Sequence, residues 1–357
     1  MKKLSYKNQK GFSLLELMVS IVIFAIITGV IFGMLQIGRI DRNRASRRSD
    51  MLKNARSAIH LIGRDILNAG MGFHRRGAIV PDNFLSIRLG TPTDADNDRD
   101  ILTSIVVGND IFTNNLNEDV NVRTDIISFA YRDLSFNSGN TVSLTNVSSV
   151  GTSPEIANLA GQAASARAFD LYLIESDSSQ VAVMATNVPN SNQIDIAPSD
   201  PLGINQAFNG TGANGSLLKK CTTVIVENCT TYLASAKKFV WVAYKLKEDG
   251  TLVRILFGNN TNRPAAEQIQ EQPLAYNIKN IQFKYVLEDG TAVDNPTLGI
   301  DGIAGTIDDQ MLDANLIRQI TVSVQVLAPE DDEQTGKPAV ITLNATFSVR
   351  NLEYDAG

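Results

Sequence analysis

The chain opens on a polar run, turns almost wholly apolar from Phe12 to Gly38, and then mixes polar and apolar residues to its end. Between Phe12 and Gly38 one ionisable group occurs, Glu16. As a helix that stretch covers roughly 40 Å, more than the ~30 Å hydrocarbon core of a bilayer. Beyond Gly38 the apolar positions narrow to a stripe. Leu52, Ala55, Ile59, Ile62 and Ile66 recur at steps of three and four, the period of one helix face. Arg47, Arg48, Asp50, Lys53 and Arg56 fall largely off it. No proline precedes Pro81, so the pattern predicts one helix from Phe12 to Ala69, roughly 85 Å long, stopped by Gly70-Met71-Gly72. Gly29, Gly33 and Gly38 each cost that helix about 1 kcal/mol, and the first two are spaced for close helix packing.

Downstream the period shortens to that of strands. Candidates are Asp125–Tyr131, Thr141–Val147, Asp170–Glu175, Gln180–Thr186, Gln193–Ala197, Thr222–Val226, Phe239–Leu246, Thr251–Phe257, Asn280–Leu287, Ile317–Leu327 and Val340–Val349. Clusters of Gly, Asn, Asp and Ser separate them. Glu248-Asp249-Gly250 reads as a hairpin turn and Asp289-Gly290 as a second. Short connections of this kind make antiparallel sheet. The expected fold class is α+β: a long N-terminal helix whose amphipathic half packs on a β-rich, antiparallel-sheet head.

Charge divides the chain the same way. The net charge is −6, with 32 Lys and Arg against 38 Asp and Glu. Residues 1–56 hold 11 basic and 3 acidic side chains, net +8, which leaves 21 basic and 35 acidic for residues 57–357, net −14. An acidic body is no nucleic-acid surface, and no nucleic-acid partner is expected. Lys2, Lys3, Lys7 and Lys10 precede the apolar segment; Arg39, Arg42, Arg44, Arg47 and Arg48 follow it, placed for lipid headgroups or for acidic faces of neighbouring subunits. With both flanks basic, charge alone does not orient the segment.

A carboxylate inside a membrane segment costs roughly 2.5–3.5 kcal/mol on insertion scales, so Glu16 calls for a function. A secretory signal fits badly: the segment is too long, and Gly38-Arg39 is no cleavage site of the A-x-A kind. A plain signal anchor leaves Glu16 without a role. A signal cut ahead of the apolar segment gives it one. Lys10-Gly11-Phe12-Ser13-Leu14-Leu15-Glu16 resembles the prepilin processing site of type IV pilins and type II secretion pseudopilins. The resemblance implies cleavage by prepilin peptidase between Gly11 and Phe12 and N-methylation of Phe12. The new amine on Phe12 would stand one helical turn from Glu16. The carboxylate can offset it within the chain or pair with the amine of a neighbouring chain, and the resemblance favours the second, which rewards assembly in one axial register.

The resemblance extends into the head. Tyr244–Arg254, Ile278–Tyr285, Ile317–Val324 and Phe347–Leu352 are similar to the later strands of PilW-type minor pilins, relatives of the J-type minor pseudopilins. It implies a leader peptide over residues 1–11, a transmembrane and assembly helix over 12–38, its amphipathic continuation over 39–71 and a head over 72–357. It further implies a subunit held in the inner membrane with its head in the periplasm, then carried to the pilus at the cell surface. Its partners would be prepilin peptidase, other minor and major pilins, and the pilus assembly machinery. The expected function is that of a minor pilin, near the tip or at initiation. A type II secretion minor pseudopilin is the alternative within the class, and a membrane-anchored adhesin that never polymerises lies outside it.

The remaining chemistry is sparse. Cys221 and Cys229, the only cysteines, are expected to form a disulfide in an oxidising compartment. Asp94, Asp96, Asp98 and Asp100 alternate like the opening of a calcium loop, but Arg99 stands where glycine is wanted and Ile105 where the bidentate Glu should be. Calcium is the one cofactor this set suggests; a solvated acidic loop is the plainer reading. Asp301, Asp308 and Asp309 form a weaker cluster among glycines. His60 and His74 are the whole imidazole supply, no nucleophilic triad or phosphate loop stands out, and the chain is not expected to be an enzyme.

Overall fold

A computed structural model describes residues 11–73, 77–92, 100–117, 119, 121–149, 155–159, 166–176, 179–190, 192–198, 200–205, 234–296, 313–331 and 336–352. Helix α1 runs unbroken from Leu14 to Asn68, 55 residues and roughly 82 Å. It passes through Gly29, Gly33 and Gly38 without interruption, so Gly38 marks a change of surroundings rather than a break. It ends where predicted. Ala69 is extended, and Gly70 (φ +79°) and Gly72 (φ +65°) turn the chain away. A Cβ on Gly70 would lie 2.9 Å from the Asn351 carbonyl oxygen, so the stop requires glycine on two counts.

The first part of the head contributes β1 (Ala78–Ile79), α2 (Phe84–Leu89), β2 (Ile101–Leu102), β3 (Ile105–Thr113), β4 (Arg123–Arg132), β5 (Val142–Ser149) and β6 (Glu155–Leu159). There follow β7 (Leu171–Ser176), β8 (Ser179–Met184), β9 (Asn187–Asn190), β10 (Gln193–Ile196), β11 (Ala234–Leu246) and β12 (Leu252–Phe257). The last are β13 (Ile269–Ala275), β14 (Ile278–Leu287), β15 (Ala292–Val293), α3 (Asp313–Leu316), β16 (Ile317–Asp331) and β17 (Pro338–Ser348).

β11 organises the head. Its second half, Phe239–Leu246, lies between β4 and β12 in a sheet ordered β3-β4-β11-β12-β13. Its first half pairs with β5 and β7 in another sheet, so one strand threads both. A separate antiparallel sheet has the order β15-β14-β16-β17. One pairing departs from the antiparallel expectation, the parallel bridge between Ile79 of β1 and Val181 of β8.

The central sheet is covered on both faces. Ile127, Phe129, Val242 and Tyr244 point into a core shared with Ala55, Ala58, Ile59, Ile62 and Ile66 of α1 and with the β14–β16 sheet. Ile126, Ala130, Trp241 and Ala243 point into a second core, with Phe73, Phe84 and β7. Trp241 stacks on Phe257 there, ring centroids 3.9 Å apart. Two-sided burial explains why Phe239–Leu246 reads as a nearly continuous apolar run instead of an alternation. A third core around Tyr172, Val183 and Ile194 lies on the far side of β7 and β8.

Candidate assembly site

At its N-terminus α1 is locked by a reciprocal cap. Gly11, Phe12 and Ser13 are non-helical, and Phe12 is 86% exposed. The Ser13 hydroxyl accepts the Glu16 N–H at 3.3 Å, and Glu16 Oε2 accepts the Ser13 N–H at 3.0 Å. The Ser20 hydroxyl donates to the Glu16 carbonyl at 2.8 Å. This is why the helix starts at Leu14, two residues later than the apolar pattern predicts: Ser13 and Glu16 satisfy N–H groups that a helix end leaves without partners. The Gly11-Phe12 bond therefore lies in non-helical chain just ahead of the helix, and a side chain at Gly11 would touch nothing within 4 Å. Glu16 also sits in the first turn, where the helix dipole favours a carboxylate. The Ser13 bond engages one of its oxygens, and a carboxylate can accept several more bonds.

From Leu14 to Ile37 the apolar side chains point outward around the whole circumference. Leu14, Phe24, Phe32 and Ile37 are all more than half exposed, and none of the described residues of the head covers them. α1 is long and apolar enough to cross a membrane.

At the other end the helix is moored by a charge. Asp65 is 0% exposed, on the face that carries Ile62 and Ile66. Its Oδ2 accepts the Arg254 Nε–H at 2.9 Å and the Tyr244 hydroxyl at 2.6 Å; its Oδ1 accepts the Tyr131 hydroxyl at 3.1 Å. Arg64, itself mostly exposed, reaches Oδ1 at 3.4 Å. One helix residue thus meets β4, β11 and β12. Burial, with Asp65 beside it, pushes the Tyr131 phenol up to about 12 and Tyr244 well above the usual phenol range. Burial works against the Arg254 charge, but Asp65 and Tyr244 outweigh it and raise its pKa. Asp65 escaped the sequence reading, although a lone acid beside Ile62 and Ile66 on an apolar stripe is the signal that marks it.

A second carboxylate ties the two large sheets together. Asp125 of β4 accepts the Phe283 N–H of β14 at 2.7 Å and the Asp110 N–H of the β3 bulge at 2.9 Å. Burial pushes its pKa up to about 6, although both N–H donors favour the charged form.

Of the other candidate residues, Asp100 and His60 are described. Asp100 is 5% exposed and accepts the Leu85 N–H at 3.0 Å, so its carboxylate caps α2. Asp94, Asp96 and Asp98 lie outside the described residues, as do Cys221, Cys229, His74 and the loop holding Asp301, Asp308 and Asp309. The predicted strand Thr222–Val226 falls there too. Among the described residues no cluster of His, Cys, Asp and Glu could hold a metal. His60 is exposed on the outer side of α1.

The prokaryotic N-terminal methylation motif matches residues 6–32, which include Gly11, Phe12, Glu16 and most of the apolar segment. No curated protein and no solved structure matches the chain. The motif, at the head of a 55-residue helix on a β-rich head, supports a type IV pilin-like or pseudopilin-like protein. It implies processing by prepilin peptidase and assembly with other pilins, and points to a structural, non-enzymatic role. It is consistent with membrane anchoring and display on a pilus.

Proposed function

We propose that this chain is a minor pilin of a type IV pilus. It is cut between Gly11 and Phe12, methylated on Phe12, held in the inner membrane with its head in the periplasm, and then packed into the filament near the tip. One observation carries the reading. The matched motif, residues 6–32, spans the start of a capped helix whose apolar half has no partner among the described residues of its own head, with Gly11 and Phe12 just ahead of the cap. Such a surface needs lipid before assembly and other helices after it. The size of the head supports a tip position: a long head with cores on both faces of its central sheet packs most easily where subunits lie only below it.

Mass spectrometry of sheared filaments tests this. The expected product is a chain beginning at methylated Phe12, at low abundance beside a major subunit. A processed chain absent from filaments indicates the anchored adhesin. A chain whose deletion stops protein secretion and leaves pili intact indicates the pseudopilin.

A further inference from the structure

The outer face of α1 carries a row of charge that, apart from the Arg64 contact with Asp65, neither the membrane segment nor the mooring cluster uses. At about 100° per residue, Arg39, Arg42, Lys53, Arg56, His60 and Arg64 fall within roughly one third of the helix circumference, opposite Ala55, Ile59, Ile62 and Ile66. All six are exposed, Arg64 with 60% of its side chain free of cover despite its contact with Asp65. By the same count Arg48, expected off the apolar stripe, falls on its side with Arg44 and Asp41, while Asp50 flanks the row. The row spans roughly 38 Å from Arg39 to Arg64.

We infer that this row is a docking ridge for the acidic head of a neighbouring filament subunit, an inference that rests on the filament reading above. Lipid explains only its beginning. The headgroup layer is about 5–8 Å deep on each side of a bilayer, so Arg39 and Arg42 can reach it. Arg56 lies roughly 25 Å farther along the axis, and a tilt of about 40° still leaves about 20 Å. An acidic protein face accounts for the whole length, and residues 70–357 of this chain are themselves net −14. Among the described side chains this face holds almost no large apolar residue; Leu67, 39% exposed, is the exception. The contact is electrostatic and sets rotation and approach more than affinity.

The test uses the full-length chain in cells lacking the wild-type copy. Lys53→Glu with Arg56→Glu leaves the Asp65 cluster intact. It should preserve processing at Gly11 and the melting temperature of the purified chain, yet lower the amount in sheared filaments about tenfold. Arg56→Lys should restore wild-type levels and, with native Lys53, allow carbodiimide coupling to carboxylates. The expected product joins residue 53 or 56 to an Asp or Glu in an adjacent subunit's head. Wild-type filament levels for the double glutamate variant, or coupling confined to this chain's own carboxylates, overturn the ridge while leaving the pilin reading in place. Loss of binding to anionic vesicles with filament levels unchanged also overturns it, in favour of lipid. Absence of the wild-type chain from filaments overturns both.

Discussion

Arg254 donates from Nε to Oδ2 of Asp65 across 2.9 Å, although 189 positions separate the two along the chain. The contact joins the last turns of α1 to β12 inside the core. Any motion of helix against head must break it or carry it along. Force applied along the helix during assembly therefore reaches the head through a buried ion pair and two tyrosine hydroxyls.

Removing one partner leaves the other charged and buried. Asp65→Ala should destabilise the head by about 3–5 kcal/mol. Asp65→Leu with Arg254→Met should cost less than the two single changes added together, because no orphan charge remains. Urea denaturation of the detergent-solubilised chain measures both. A single-variant loss below about 1 kcal/mol would remove the cluster from the list of structural determinants.

Helix and sheet approach closely at Gly63. A Cβ there would intrude on the Phe347 ring of β17, so Gly63→Ala should cost about 1–3 kcal/mol. Phe347→Leu in the same chain should recover part of it. Additive losses in thermal melting would contradict the packing described.

Asp125 makes stability depend on pH. Its pKa in the folded chain, about 6, stands above the ordinary 3.8, so between these values the folded state binds more protons than the unfolded state. The Asp125 contribution is complete below about pH 4 and is lost as pH rises through about 6, by at most about 3 kcal/mol. The fall in melting temperature between pH 4.5 and 7 should be smaller in Asp125→Asn than in wild type. The readout is this slope, since Asn accepts poorly from both the Phe283 and Asp110 N–H groups and lowers stability at every pH. Equal slopes would show that other groups carry the dependence.

Glu16 has two separable tasks. Ser13→Ala removes the hydroxyl cap, costs the helix start about 1 kcal/mol and keeps the carboxylate. Glu16→Val removes the carboxylate and its bond to the Ser13 N–H, and keeps the hydroxyl cap. Each variant should be processed at Gly11 and inserted in the membrane. Ser13→Ala should enter filaments at nearly the wild-type level and Glu16→Val should fall about tenfold or more, the cost of a single unpaired terminal amine. Quantitative immunoblots of sheared filaments and membranes distinguish them. Equal loss in both variants would reduce Glu16 to a helix cap.

Strands with a strong local pattern were legible from their residues. The predicted Asp125–Tyr131 is β4, Asn280–Leu287 is most of β14, and Glu248-Asp249-Gly250 is the β11–β12 turn, with Gly250 at φ +78°. β3 was not legible, because Gly108 and a bulge with Asp110 at φ +53° break its alternation. β13 was hidden for another reason. It is an edge strand, mostly exposed, whose Gln270-Glu271-Gln272-Pro273 carries no apolar rhythm and whose proline suits a strand edge. Asp100 shows the same limit at a site. Alternating acids suggest a cation, and the fold instead spends the last of them on the backbone of α2.

By itself the sequence determined the features that depend on near neighbours. These are the processing motif, the capped carboxylate, the long helix with its apolar and amphipathic halves, the glycine stop and the antiparallel character of the head. Each follows from residues within a few turns or pleats of one another, so local geometry and solvent transfer suffice to read it. The tertiary structure alone decided which partners Asp65 meets and that β11 serves two sheets. Those outcomes depend on which distant surfaces meet once water is expelled, and a buried charge finds its partner only after the whole core has closed around it.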